Sequence, residues 1–405
     1  MTDIKRYLDA LKVGMYTKSV CSKRSEIKLR KSLASTHNIE LILKFVNEET
    51  VNGKSEGTMR NYIFIIHMFA EFLKDKNFED VGKEDVINYI NFLMTKVNKR
   101  SKEKLKENTI NLTKARIRTF YRWLNNGEYP DFIKPIKVKV ESITVRPDQI
   151  LTEEEIKKLI ETANNVRDKA IISVLYESGC RIGEFLNMRI RDFRFDDFGA
   201  MVTVDGKTGK RNVRLVNSIP YLKEWLRYHP NKKDDSWVWV SKYDKTVSRL
   251  EYLGVYVTLK ELAKKSKITK NVRPHILRHS RITHVALKMP ESSLRIMYGW
   301  VAGSEMTRTY INMSGKDVDE LVLSRLYNIN TDKIEEKVNL LVPKVCYNCG
   351  ERNPTDYEYC IKCKWPLDAK VLKAREKQFL MTMTPEIIQK FIEQKVEKYM
   401  AKMIR

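Results

Sequence analysis

Apolar positions recur at helical spacing through most of the chain. After Ser55, Met59, Tyr62, Ile63, Ile66, Phe69, Ala70 and Leu73 fall on one helical stripe. Val86, Tyr89, Ile90 and Leu93 mark a second helix. Ile110, Leu112, Ala115, Ile117, Phe120, Tyr121 and Leu124 mark a third, with Gly127 suited to its C-terminal cap. The pattern is helical throughout from about 36 to 126, leaving room for a helix before Ser55, and predicts a small four-helix domain over 34–135, preceded by a basic arm, 1–33. The stretch 128–150 has three Pro and no period, and 136–150 reads as an extended linker. Thr152 and Glu155 then form a capping box that opens a larger domain, 151–335. Helices are expected there at 153–163 and 167–178. The runs 201–204 and 212–216 read as strands flanking a hairpin turn at 205–210. Helices return after 219 and dominate to about 328. A compact cysteine module, 340–368, and a Lys-rich amphipathic tail helix within 369–405 complete the chain.

Charge narrows the field of partners. The 405 residues carry 76 Lys and Arg against 52 Asp and Glu, a net +24. A hydrophobic fraction of 42% is enough for real cores and argues against global disorder. No run reaches the roughly 18 apolar residues of a membrane span. The opening MTDIKRYLDALK lacks the apolar core of a secretory signal. A folded cytoplasmic protein this basic is expected to meet a polyanion, with nucleic acid the leading candidate.

Four of the six cysteines form Cys346-x-x-Cys349 and Cys360-x-x-Cys363. Each pair suits a tight knuckle, and two knuckles supply a tetrahedral Cys₄ set for structural Zn²⁺. Disulfides or a redox pair fit a reducing compartment poorly. Four protein ligands leave no open position for a substrate. Cys21 and Cys180 read as ordinary thiols.

Four sites in the larger domain have residue types suited to phosphate chemistry. They are Arg181 and Glu184 in G-C-R-I-G-E, Lys207 on the hairpin turn, His275 and Arg278 in P-H-I-L-R-H-S, and Gly299-Trp300 followed by Tyr310. Each alone is ordinary: a solvated cation, a solubilising turn lysine, a half-buried tyrosine. In this order and context they resemble the tyrosine recombinase (phage integrase) family, over about 36–328. The Cys₄ module is similar to those appended in archaeal integrase-like members.

The resemblance implies a mainly α fold. It comprises a helical, SAM-like core-binding domain, a mixed α+β catalytic domain with a small sheet, and a C-terminal zinc ribbon. It implies site-specific strand transesterification on double-stranded DNA. Tyr310 is then the nucleophile that holds the 3′ end. Arg181 and Arg278 grip the non-bridging oxygens, because a guanidinium fork matches phosphate and stays charged. Lys207 is the general acid to the 5′ oxygen, and His275 the base or hydrogen-bond partner near Tyr310. Glu184 orients the cations. Trp300 stands where many relatives have His, and its indole can donate or pack but not exchange a proton. No catalytic cofactor or small-molecule substrate is required. A homo-tetramer on two synapsed duplexes is expected, with a helix carrying Val318, Leu321, Val322 and Leu326 either passed to a neighbour or packed on its own domain.

The sequence departs from the family at the Trp300–Tyr310 interval, one residue longer than usual, and at Asn312, where relatives often have His. Lys210 is a second lysine on the turn. His279 and His284 read as satisfied helix histidines. Two alternatives use the same residues differently: a type IB topoisomerase-like relaxing enzyme, and a catalytically silent DNA-binding regulator on the same scaffold.

Overall fold

A computed structural model describes residues 34–97, 102–139, 147–206, 208–243, 246–286, 288–301, 303–304 and 340–368, with Tyr310, Tyr327, Val371 and Gln389. The N-terminal arm, Lys207, the segment following Tyr310 and the tail helix lie outside these residues. The chain divides into two compact units, 1–142 and 143–405.

The first unit holds four helices, α1 (Thr36–Val51), α2 (Glu56–Leu73), α3 (Lys83–Thr95) and α4 (Glu107–Leu124). Ser35 and Ser55 cap the first two, each hydroxyl accepting a backbone N–H three residues on. The apolar stripes meet in one core. Phe45 packs edge-on to Tyr62 and Phe120, and Phe69, Phe78, Met59 and Ile66 are fully enclosed. Buried Asn38 fastens the turn after α2. Its amide donates to Lys76 O at 2.9 Å and accepts from Phe78 N at 3.0 Å.

The second unit opens with the capping box as expected. Thr152 Oγ1 accepts from Glu155 N at 3.2 Å, and Glu155 Oε2 accepts from Thr152 N at 2.9 Å. It caps α5 (Glu153–Thr162), followed by α6 (Val166–Ser178) and the short α7 (Ile182–Leu186). Helix α6 is buried from Ala170 to Ser178, so it has no polar stripe and forms the centre of the unit. Three strands follow, β1 (Phe193–Asp196), β2 (Gly199–Gly206) and β3 (Gly209–Leu215), antiparallel in the order β1-β2-β3. Gly206 pairs with Gly209, so the hairpin turn is tighter than the 205–210 loop expected. Next come α8 (Ile219–Tyr228), a hairpin of β4 (Val240–Tyr243) and β5 (Thr246–Arg249), α9 (Tyr252–Lys265), α10 (Pro274–Val285) and α11 (Glu291–Tyr298). Strand β1 and the β4–β5 hairpin are additions to the sequence pattern, which predicts strands only at 201–204 and 212–216 and mostly helix after 219.

Two buried carboxylates join distant elements. Glu177, near the end of α6, accepts from the backbone N–H groups of Val216, Asn217 and Ser218 at 2.8–3.0 Å and from the Ser218 hydroxyl at 2.6 Å. It thereby satisfies the open amides that lead into α8. The other, Glu184, belongs to the candidate site.

The cysteine module carries a two-residue ladder, β6 (Lys344–Val345) on β7 (Arg352–Asn353). Buried Asn353 knits its halves together, donating to Glu351 O at 2.8 Å and accepting from Ile361 N at 2.8 Å. The module is fastened to α6 and α8. Asp356 pairs with Lys169, Tyr221 donates to Asp356 at 2.9 Å, and the Tyr357 hydroxyl donates to Glu224. The Lys169 ammonium also sits over the Tyr357 ring at 5.3 Å.

Candidate active site

Helix α6 ends at Gly179, in the left-handed region at φ 54°. A Cβ there would meet the Tyr298 ring at 2.6 Å, so only glycine allows this approach. The reversal sets Arg181 at the N-terminus of α7. Glu184 Oε2 accepts from Arg181 N at 2.8 Å, and Arg181 Nη1 donates to Glu184 Oε1 at 3.0 Å. The second guanidinium arm donates to Gly299 O at 3.0 Å, and the side chain stays 36% exposed. Arg181 is therefore aimed but still open on one side.

Arg278 is the buried counterpart. It comes from α10, donating to Gly179 O at 2.6 Å and to Tyr298 O at 2.9 Å. Burial, and next the nearby charge of Arg181, push its pKa down to about 10. It stays protonated at neutral pH. A buried guanidinium whose pKa a second arginine lowers marks a site that gains by taking an anion.

Tyr310 is buried at 1% exposure in an apolar cluster with Ile282, Val285, Leu294 and Tyr298. Trp300 stacks on its ring, the planes 11° apart and the centroids 5.6 Å apart. Burial raises the phenol well above its ordinary pKa, although the charge of Arg278 works the other way. Its hydroxyl is hydrogen-bonded to His279 Nδ1. The ring of His275 stands edge-on to His279 at 4.3 Å, on the exposed side of α10. A hydrogen-bond partner of the tyrosine is thus the second histidine of P-H-I-L-R-H, which in the sequence alone reads as a satisfied helix residue. The i, i+4 interval between the two histidines puts both on one helix face, and that was the available signal. His284 fits its expected role, bonded to the Tyr176 hydroxyl at 2.7 Å.

The structure thus gathers Arg181, Glu184, His275, Arg278, Trp300 and Tyr310 where α6, α7, α10 and α11 meet. Lys207 lies outside the described residues. Its neighbour Thr208 donates to Gly299 O at 3.1 Å, the same carbonyl that Arg181 binds, so the hairpin tip reaches this site.

The four cysteines of the module converge separately. Their sulfurs all lie within 4.8 Å of one another, with Cys346–Cys363 at 3.5 Å and Cys349–Cys360 at 3.6 Å. A tetrahedral zinc with bonds of about 2.3 Å asks for sulfurs about 3.8 Å apart. The Lys362 N–H points at Cys360 Sγ at 3.4 Å, as expected of a knuckle that holds a thiolate. The donor set fits zinc.

Comparison with known proteins gives the same picture. The phage integrase family model matches residues 149–316, and that of the phage integrase N-terminal SAM-like domain matches 41–131. Tyrosine recombinase XerA of Pyrococcus horikoshii is 28% identical over 249 residues, which are 61% of this chain and 80% of the relative. Among solved structures, XerH recombinase bound to a palindromic difH substrate covers 67% of this chain and 80% of its own, at 18% identity and a TM-score of 0.51. A lambda integrase tetramer bound to a Holliday junction covers 75% and 87%, at 14% identity and a TM-score of 0.52. The two matched regions fall one on each compact unit and together span more than half of the chain. The protein belongs to the phage integrase family, the tyrosine recombinases.

Proposed function

We propose that this protein is a site-specific DNA recombinase that cuts and rejoins strands through a 3′-phosphotyrosine on Tyr310. One observation carries the reading: a buried tyrosine is bonded to His279, which has His275 edge-on to it, is stacked by an indole, and feels the charge of Arg278, itself next to Arg181. The Tyr310 oxygen attacks the scissile phosphorus and the bond to the 5′ oxygen breaks. The phosphotyrosine stores the bond energy for the return step. Arg181 and Arg278 take the non-bridging oxygens as charge builds on them. The departing 5′ oxygen receives its proton from Lys207, carried on the hairpin whose tip reaches Gly299 O. Trp300 positions the phenol by stacking. The unprotonated imidazole of His279, hydrogen-bonded to the phenol, takes its proton as the Tyr310 oxygen attacks, with His275 edge-on beside it.

Double-stranded DNA is the substrate, and the working form is a tetramer on two synapsed duplexes in the cytoplasm. The similar structures support the DNA substrate and the tetramer: XerH is described on its difH substrate, and lambda integrase as a tetramer on a Holliday junction. One Zn²⁺ held by Cys346, Cys349, Cys360 and Cys363 stabilises the module. The separations of the four sulfurs support that assignment.

The test is covalent capture. The protein is incubated with nicked suicide duplexes of randomised core sequence, and adducts are enriched and sequenced. Wild type gives an adduct on a recurring site. Tyr310→Phe lowers the adduct by more than about 10³-fold with DNA affinity unchanged. Joining of strands between two duplexes identifies a recombinase, and relaxation of one duplex identifies a topoisomerase. Tight binding with no adduct from wild type overturns the proposal in favour of the silent regulator.

A further inference from the structure

The Lys and Arg of a hairpin usually face water, and Arg214, on the same strand, does so at 38% exposure, paired with Asp196. Arg211 is different. It stands on β3 opposite Val204, and its side chain is only 7% exposed. All three of its donor groups are engaged. Nη1 and Nη2 donate to the two oxygens of Glu184 at 3.1 and 2.7 Å. Nε donates to Met297 O at 2.8 Å, just before the turn that carries Gly299 and Trp300.

Glu184 is thus shared between two arginines. It takes both arms of Arg211, one arm of Arg181 and the Arg181 backbone N–H. The carboxylate is 3% exposed, so its position is set by these bonds and not by water. The hairpin closes on it as well. A Cβ at Gly206 would lie 2.2 Å from Glu184 Oε1, so the strand backbone touches the carboxylate only because residue 206 has no side chain. One guanidinium therefore joins three parts of the site: the α7 N-terminus that aims Arg181, the strand beside the Lys207 turn, and the α11 end whose Gly299 O receives both Arg181 and Thr208.

We propose that Arg211 is a positioning residue of the cleavage reaction, acting through Glu184 to hold Arg181 and through Met297 O to hold the Trp300 turn. The inference rests on the recombinase reading above. Lysine keeps the charge at this position but has one ammonium, and it cannot span a carboxylate and a carbonyl in the geometry of the fork. Removing the charge altogether strands a buried carboxylate, which costs enough to endanger the fold.

The experiment measures single-turnover cleavage at saturating protein, on the suicide duplex that wild type captures. Arg211→Lys, Arg181→Lys and the double variant are compared, with Arg214→Lys as control. DNA affinity and thermal midpoint are measured alongside. Arg211→Lys is expected to slow cleavage about ten- to a hundredfold, with affinity within twofold of wild type. In the Arg181→Lys background it should add less than threefold, because the two act as one unit. Arg214→Lys should cleave at the wild-type rate. If Arg211→Lys does not fold, the paired replacement Arg211→Met with Glu184→Leu removes the buried charges together and takes its place in the cycle. Cleavage by Arg211→Lys at the wild-type rate overturns the proposal. So do losses that multiply in the double variant, which mark Arg211 as acting independently of Arg181. Absence of any adduct from wild type is a separate result, and it sinks the recombinase reading itself.

Discussion

His279 is held neutral by its surroundings. Burial, then the charges of His275, Arg278 and Arg273, take its pKa down to about 3. A histidine in the unfolded chain titrates near 6.5. Between these two values the unfolded chain binds a proton that the folded chain refuses, so stability falls as pH drops below about 6.5. This ring alone contributes a slope of up to about 1.4 kcal/mol per pH unit. His275, exposed on one side but partly desolvated on the other, is lowered as well, first by that partial burial and then by Arg278, Arg273 and Arg181, and adds in the same direction. Urea melts of wild type and His279→Gln at pH 7.5, 6.0 and 5.0 are expected to converge as pH falls, because the variant lacks the acid-sensitive group. Parallel pH dependence in the two proteins would remove His279 as the cause. The same residue marks a limit of the sequence. Arg181, Arg278 and Tyr310 are legible because their side chains are themselves the chemistry that phosphate transfer needs. A second histidine on α10 serves equally well as packing, and only the burial of Tyr310 against it decides the matter. Arg211 is illegible for a similar reason: nothing in a hairpin sequence tells a solvated arginine from one turned inward on a carboxylate.

At the scale of elements, helices with a marked apolar stripe are readable, and so is the capping box of α5. The β4–β5 hairpin is not, because Val240–Tyr243 and Thr246–Arg249 are four-residue strands whose sequences, VSKY and TVSR, carry little apolar alternation. Strand β1 exists because Phe193 and Phe195 find partners on β2, a pairing that depends on the hairpin beside it. The cysteine module is the opposite case, fully legible in spacing but silent about where it docks. Its seat on α6 and α8 passes through Asp356 and Tyr357, which stand between the two knuckles. Loss of metal should therefore free these contacts along with the cysteines. Elemental analysis is expected to find one zinc per chain. Chelation should lower the thermal midpoint by several degrees, as about 1–3 kcal/mol of buried polar contacts are lost. Amide exchange at 344–368 should accelerate while α6, buried in the large apolar core of the second unit, stays protected. A metal-free protein with the same midpoint and the same exchange pattern would refute the zinc assignment.

For the whole molecule the excess of cations has to be divided. Even if every one of the 52 acidic residues paired with a base, 24 of the 76 Lys and Arg would remain unmatched. The site itself uses few. Arg181 and Arg278 face the scissile phosphate in the proposed mechanism, and Arg211 is already paired with Glu184. The rest must be solvated or committed to a polyanion, and their number suits a clamp along a duplex backbone more than one local contact. Such a clamp releases counterions as it binds, so log affinity should fall linearly with log salt. Six phosphate contacts would reduce affinity about 10³-fold between 50 and 200 mM salt. Fluorescence anisotropy with a 30-base-pair duplex of arbitrary sequence measures this without knowledge of the target site. Arg181→Ala should reduce the slope by about one contact at most, because the clamp is distributed, while covalent capture is lost because the chemistry is local. A slope near zero would mean that the net charge serves something other than DNA. A large change in slope from Arg181→Ala would mean that binding and cleavage share one set of cations, against the division argued from the buried Arg211–Glu184–Arg181 group.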